Sequence, residues 1–343
     1  MNNKTINRQI RKISTSTTLP ILVFLIAANV FKYPLLFFSG IAPENSILKD
    51  NGFLNLIIYI FMYLIIIPLI ALIFQKVKGN KVGIKLSSLY TKPKKSAFWC
   101  FKWIIITMGF AYIASIISNI FFMIIEYMTD TTLNEASFNF GDSVIGTVVL
   151  IIAPVIFAPI FEELLFRGVV LKNSEPMGQW FAIIISGIIF GLWHENYPQF
   201  LFAAVLGCFS AFMVIKTRSI IPSMIAHFSI NTISTVVQLF FKNYNIDIEE
   251  IANMSNYELL SSVNLPFLLF AALIEIILIG LIITAIVFFV IELVKHKGKA
   301  NLVKSVFNIN TSRKIAVFMC SPVTLFTFSL MILSTIINAI PTT

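Results

Sequence analysis

The stretch Val144-Ile145-Gly146-Thr147-Val148-Val149-Leu150-Ile151-Ile152-Ala153-Pro154-Val155-Ile156-Phe157-Ala158-Pro159-Ile160-Phe161-Glu162-Glu163-Leu164-Leu165-Phe166-Arg167-Gly168-Val169-Val170-Leu171-Lys172 decides the fold. From Val144 to Phe161 it carries no charge, and apolar side chains resume after Glu163 and run to Leu171. A helix crosses the hydrocarbon core of a bilayer with about 20 residues rising about 1.5 Å each, so this run reads as a membrane helix with ionisable groups inside it. The rest of the chain agrees. Of 343 residues, 58% are hydrophobic and 12% charged, against about 45–50% and about 25% in an ordinary soluble domain. This excludes a soluble enzyme, and also a disordered chain, whose composition is the reverse.

Nine apolar runs are long enough to serve as spans: Leu19 to Phe38, Phe53 to Phe74, Trp103 to Ile125, Val144 to Lys172, Trp180 to His194, Gln199 to Ile215, Ile220 to Phe241, Phe267 to Phe289 and Ala316 to Ile337. The predicted fold is all-α, a polytopic integral membrane protein of about nine transmembrane helices, eight being the alternative count. Polar stretches divide it into an N-terminal three-span region (1–143), a central four-span region (144–241) and a C-terminal two-span region (242–343). The first run has a basic flank and resembles a secretion signal, but its apolar character continues through Phe37 and Phe38, which reads as an anchor.

The net charge of +9 is not gathered into one basic face, so no nucleic-acid partner is expected. It alternates by loop. In a nine-span arrangement 21 of the 25 basic residues fall on one side, among them Lys4, Arg8, Arg11, Lys12 and the seven lysines from Lys76 to Lys95. The opposite loops carry Glu44, Asp50, Asp130, Glu135, Asp142, Glu195, Asp247, Glu249, Glu250 and Glu258. Basic loops stay cytoplasmic, which predicts a cytoplasmic N-terminus. Richness in Ile, Asn, Lys and Phe suggests an AT-rich genome and a bacterial cell membrane. The three cysteines, Cys100, Cys208 and Cys320, are far apart and lack CxxC spacing, so they read as packing residues.

Ionisable groups at membrane depth mark a functional site or a buried pair. They concentrate in the central region, at Glu162, Glu163 and Arg167, then His194, then His227 and Asn231. Successive helical residues point about 100° apart, so the two glutamates face different surfaces. Glu163 and Arg167 are spaced i,i+4 as a neutralising pair. Glu162 is left over, and a carboxylate among apolar helices is a candidate general base. His227 and Asn231 are also i,i+4 and share a face. Counted from the expected cytoplasmic helix ends, Glu162, His194, His227 and Asn231 sit at about 15, 21, 12 and 18 Å, one layer of the membrane.

These residues spell Glu162-Glu163-Leu164-Leu165-Phe166-Arg167, Phe190-Gly191-Leu192-Trp193-His194 and His227-Phe228-Ser229-Ile230-Asn231. The set resembles the EExxxR, FxxxH and HxxxN motifs of the CAAX protease and bacteriocin-processing family of intramembrane endopeptidases, over about Val144 to Phe241. The resemblance implies that Glu162 activates a water for attack on a peptide carbonyl, with His194, His227 and Asn231 positioning that water, a metal ion or the oxyanion. It assigns Glu163, Arg167 and Phe190 supporting parts. It implies as partner a membrane-associated peptide or protein tail, prenylated or a bacteriocin or pheromone precursor, met in the lipid bilayer.

Two imidazoles and a carboxylate also form a His₂Glu set that a divalent metal such as zinc would accept, with Glu162, His194 and His227 as ligands. The sequence lacks HExxH, because Pro198 stands four residues after His194. Both a metal-bound and a metal-free water remain open at this level. Two other functions are compatible with the residues: a non-proteolytic scaffold or immunity protein of the same fold, and a proton-coupled transporter.

Overall fold

The computed structural model describes residues 2–79, 85–133, 143–243 and 265–340. Lys81, Glu135, Asp142, Asp247, Glu249, Glu250 and Glu258 lie outside the described residues, so the loop charges expected there carry no structural account. The described residues form helices α1 (Asn3–Ile41), α2 (Asn51–Gly79), α3 (Ala97–Thr129), α4 (Val144–Met177), α5 (Gln179–Trp193), α6 (Tyr197–Thr217), α7 (Ile221–Asn243), α8 (Leu265–Lys295), α9 (Thr311–Met319) and α10 (Pro322–Ala339).

Seven of them, α1 to α4, α6, α8 and α10, are long and apolar enough to cross a membrane. The protein is a polytopic all-α membrane protein. The two further expected spans correspond to α5, with 15 residues, and α7, with 23. Boundaries differ from the sequence reading at both ends of the chain. Helix α1 starts at Asn3 rather than Leu19, because the Asn2 side chain accepts from the Lys4 amide and caps it there. The expected last span is broken into α9 and α10 at Cys320-Ser321, where Pro322 opens the second helix.

One hydrophobic core takes residues from all three sequence regions, including Ile10, Ile67, Phe166, Phe190, Phe318 and Met331. Hydroxyls tie the first helix to the last two. Ser14 Oγ donates to the Phe318 carbonyl at 2.6 Å, and Ser14 and Thr18 hydroxyls lie 2.5 and 3.0 Å from Thr324 Oγ1. At the other periphery α8 leans on α3, where Gly109 admits Ala285, and the buried Lys102 and Glu292 pair directly.

Helices α2 and α4 run side by side from a shared start. Asp50 caps α2 by accepting from the Phe53 amide, Ser143 caps α4, and Ser143 Oγ donates to Asp50 Oδ1 at 3.0 Å. Just inside, a Cβ on Gly52 would lie 2.6 Å from Gly146 Cα, so the two backbones touch. This fixes their register, with Tyr63 and Phe157 each eleven residues further on.

Helices α5 and α6 also meet backbone to backbone. A Cβ on Gly187 would strike Cys208 Sγ and stand 2.6 Å from the Ala204 carbonyl, and one on Gly191 would stand 2.6 Å from the Phe200 carbonyl. Small residues spaced by four are how membrane helices gain contact without a hydrophobic driving force. The turn between them follows from its residues: Glu195 adopts φ 49°, Asn196 caps α6 by accepting from the Gln199 amide, and Pro198 follows.

Candidate active site

Helix α4 is not wound as an ordinary α-helix where it carries the glutamates. Ala153–Glu162 and Leu164–Val170 are π-helical, with Pro154 and Pro159 inside the first stretch. In this winding each amide pairs five residues back. The natural donor for the Pro154 carbonyl is then residue 159, which is proline and has no N–H. Asn231 supplies the missing donor from α7, its Nδ2 giving a 2.7 Å bond to the Pro154 carbonyl. The third motif is thereby fastened to the helix that carries the first.

Glu163 and Arg167 pair as the spacing predicts, both fully buried. Arg167 Nη2 donates to Glu163 Oε1 at 3.3 Å, and Nε stands 3.1 Å from Oε2 as an ion contact outside hydrogen-bond angles. Its remaining arm, Nη1, donates to Ser186 Oγ on α5 at 3.1 Å. Its guanidinium also stacks 4.9 Å from the Phe190 ring.

The two glutamates are less separate in role than their angular offset suggests. Both reach His227, which stands between them: Nδ1 lies 3.4 Å from Glu163 Oε1 and Nε2 lies 3.9 Å from Glu162 Oε2. Glu163 therefore faces an imidazole as well as neutralising Arg167, although Nδ1 does not meet it at hydrogen-bond angles. With the proton of a neutral His227 on Nδ1, toward the nearer carboxylate oxygen, Nε2 turns a lone pair toward Glu162.

Glu162 is buried, and its two oxygens differ. Oε1 accepts a 2.6 Å hydrogen bond from the Tyr63 hydroxyl on α2, whereas Oε2 has no hydrogen-bond partner. Tyr63 belongs to the N-terminal region and escaped the sequence reading. The one signal was a pair of tyrosines, Tyr59 and Tyr63, spaced i,i+4 in a span otherwise dominated by Ile and Leu.

His194 ends α5. Its Nδ1 lies 2.9 Å from the Phe190 carbonyl, which can only accept, so Nδ1 carries a proton and Nε2 is the open nitrogen of the neutral ring. Phe190 sits edge-on to both imidazoles, 5.0 Å from His194 and 5.7 Å from His227. The FxxxH spacing thus has a local meaning: the phenylalanine orients the histidine one turn on through its carbonyl and packs its ring against both imidazoles.

Glu162, Glu163, Arg167, Phe190 and His227 therefore form one connected cluster, with His194 beside it and Asn231 fastened to the backbone below. The His₂Glu ligand set expected from sequence is not assembled: among the described residues no three His, Cys, Asp or Glu side chains gather to hold a metal ion. His227 directs its nitrogens at the two glutamates, and His194 meets the same Phe190 ring that His227 does.

Residues 144–233 match the family described as "Type II CAAX prenyl endopeptidase Rce1-like". The chain is 31% identical over 99 residues to the Bacillus subtilis (strain 168) protein named "Putative membrane peptidase YdiL", covering 29% of this chain and 41% of that protein. It is 32% identical over 93 residues to "UPF0177 protein YbdI" of Lactococcus lactis subsp. lactis (strain IL1403), covering 26% of this chain and 50% of that protein. The chain thus spans half or less of the length of these curated relatives. No solved structure matches it.

Proposed function

We propose that this protein, whose central segment is Rce1-like by sequence, is an integral membrane endopeptidase that cuts membrane-associated peptides or protein tails with a water activated by Glu162. The observation that carries the reading is the unpartnered Glu162 Oε2, buried and 3.9 Å from His227 Nε2. With the His227 proton on Nδ1, the two acceptors at that separation fit a water that donates one hydrogen to each.

In the reaction the water oxygen attacks the peptide carbonyl carbon while Glu162 Oε2 takes its proton. The carbonyl oxygen becomes an oxyanion. When the tetrahedral intermediate collapses, the C–N bond breaks and the amine leaves with the proton returned by Glu162. His227, beside Glu163, orients the water, and His194, whose Nε2 is its open nitrogen, serves the oxyanion or the leaving group. Arg167 and Phe190 hold these groups in place. Among the described residues no three-ligand metal set is gathered, and the steps run on a water alone. The positive-inside distribution of charge supports a cytoplasmic N-terminus.

The test is cleavage of a library of C-terminal and leader peptides, prenylated and plain, by purified protein and its Glu162→Gln variant, with new termini identified by mass spectrometry. Cleavage by the wild type alone, unchanged by a chelator, is the expected result. Loss of cleavage with chelator would establish a metal-bound water instead. A biological role intact in Glu162→Gln would leave the cluster as a helix-tying scaffold.

A further inference from the structure

We infer that Tyr63 is a positioning residue of this hydrolytic site, one that lies outside the segment matching the family and presents Glu162 to the water through Oε2 alone. The inference rests on the peptidase reading and deepens it, by making a flanking helix part of the site.

A glutamate ends in a torsion that turns freely and interchanges its two oxygens. A general base whose oxygens exchange places presents its lone pair in the wrong direction much of the time, and a misplacement of about 1 Å costs about 10²-fold. Tyr63 removes that freedom. Its hydroxyl bonds Oε1 at 2.6 Å, the length of a strong bond to a charged acceptor. Oε2 is left without a partner and directed toward His227.

Tyr63 is itself held on several sides. Its ring stacks on Tyr59 with centroids 5.8 Å apart and planes 15° apart, and it meets Phe157 and Phe161 at 6.2 Å each. Phe157 and Phe161 belong to the same helix as Glu162, so the ring is gripped by the element whose carboxylate it holds. The register between α2 and α4 is fixed at the Gly52–Gly146 contact, and it sets Tyr63 level with Phe157, from where the hydroxyl reaches five residues on.

Tyr63→Phe keeps the ring and removes only the hydroxyl. The expected result is a fall in kcat of about 10- to 100-fold with KM within about twofold, and an acidic limb of the kcat–pH profile displaced to higher pH, because the charged carboxylate loses its donor. Replacing Tyr63 with 3-fluorotyrosine, a stronger donor of nearly the same shape, should move that limb the other way. Infrared difference spectra supply a readout without substrate: the carboxylate bands that disappear in Glu162→Gln should shift in Tyr63→Phe. Cleavage lost in Glu162→Gln, with bands and acidic limb unmoved in Tyr63→Phe, overturns this inference alone. Failure of the wild type to cleave any peptide overturns the peptidase reading and this one with it.

Discussion

Where α3 meets α8, Lys102 and Glu292 are buried against each other, and the half-exposed His296 approaches the second Glu292 oxygen at 3.5 Å. Where α4 meets α7, Glu163 and Arg167 are buried more deeply still, but Glu162 and His227 are buried with them. Both places neutralise charge in apolar surroundings, which is costly unless each charge finds its partner. The first is complete, and it fastens a peripheral helix. The second has Glu162 Oε2 left over. A buried pair alone says little about function; a buried pair beside an unspent acceptor says where chemistry can occur.

The sharpest way to break this contrast is at the leftover group. Glu162→Gln keeps an acceptor for Tyr63 and removes the base, so kcat should fall by about 10²- to 10⁴-fold with thermal unfolding in detergent unchanged. Wild-type turnover in that variant would erase the distinction between the two clusters. Next in size is Arg167→Leu, which strands the Glu163 carboxylate in a fully buried site. A stability loss of about 3–5 kcal/mol is expected, read from denaturant or thermal unfolding, with activity lost as well.

The completed pair should behave differently. Replacing both members, Lys102→Met with Glu292→Leu, exchanges a closed ion pair for apolar contact and should change stability by less than about 2 kcal/mol in either direction while leaving cleavage intact. The corresponding double change, Glu163→Leu with Arg167→Met, should abolish cleavage, because His227 and Phe190 lose the charged groups they face. A smaller effect belongs to Gly191→Ala, whose new methyl would meet the Phe200 carbonyl. It should cost about 1–3 kcal/mol and lower kcat without touching a polar group, since His194 lies three residues on. Smallest is His296→Gln, at the half-exposed edge of the peripheral pair, expected within about 0.5 kcal/mol.

The membrane class and the three motifs were legible because hydropathy and i,i+4 spacing are one-dimensional quantities. The Glu163–Arg167 pair survived even the change of winding. Rise per residue also fixes depth, which is why Glu162 and His227 could be placed in one layer. Azimuth is not fixed that way. The π-winding around Pro154 and Pro159 turned α4 so that both glutamates reach one imidazole, and it freed the carbonyl that Asn231 fills. Tyr63 was hidden for a related reason: its role depends on which helix neighbours α4, and that is decided by Gly52 against Gly146, two glycines 94 residues apart in the chain. The break before α10 could have been read from Pro322 alone.

The seam between α1 and α10 sets a schedule. Ser14 is synthesised 310 positions ahead of its partner Thr324. At about 5–20 residues per second the interval is about 15–60 s. Throughout it, Ser14, Thr15 and Thr18 of α1 lack their partners on α9 and α10 and the turn between them, while Thr18 keeps its bond to the Ser14 carbonyl of its own helix. A ribosome paused before α10 would therefore hold a nascent chain whose helix α1 is still open to a hydroxyl-bearing helix from elsewhere.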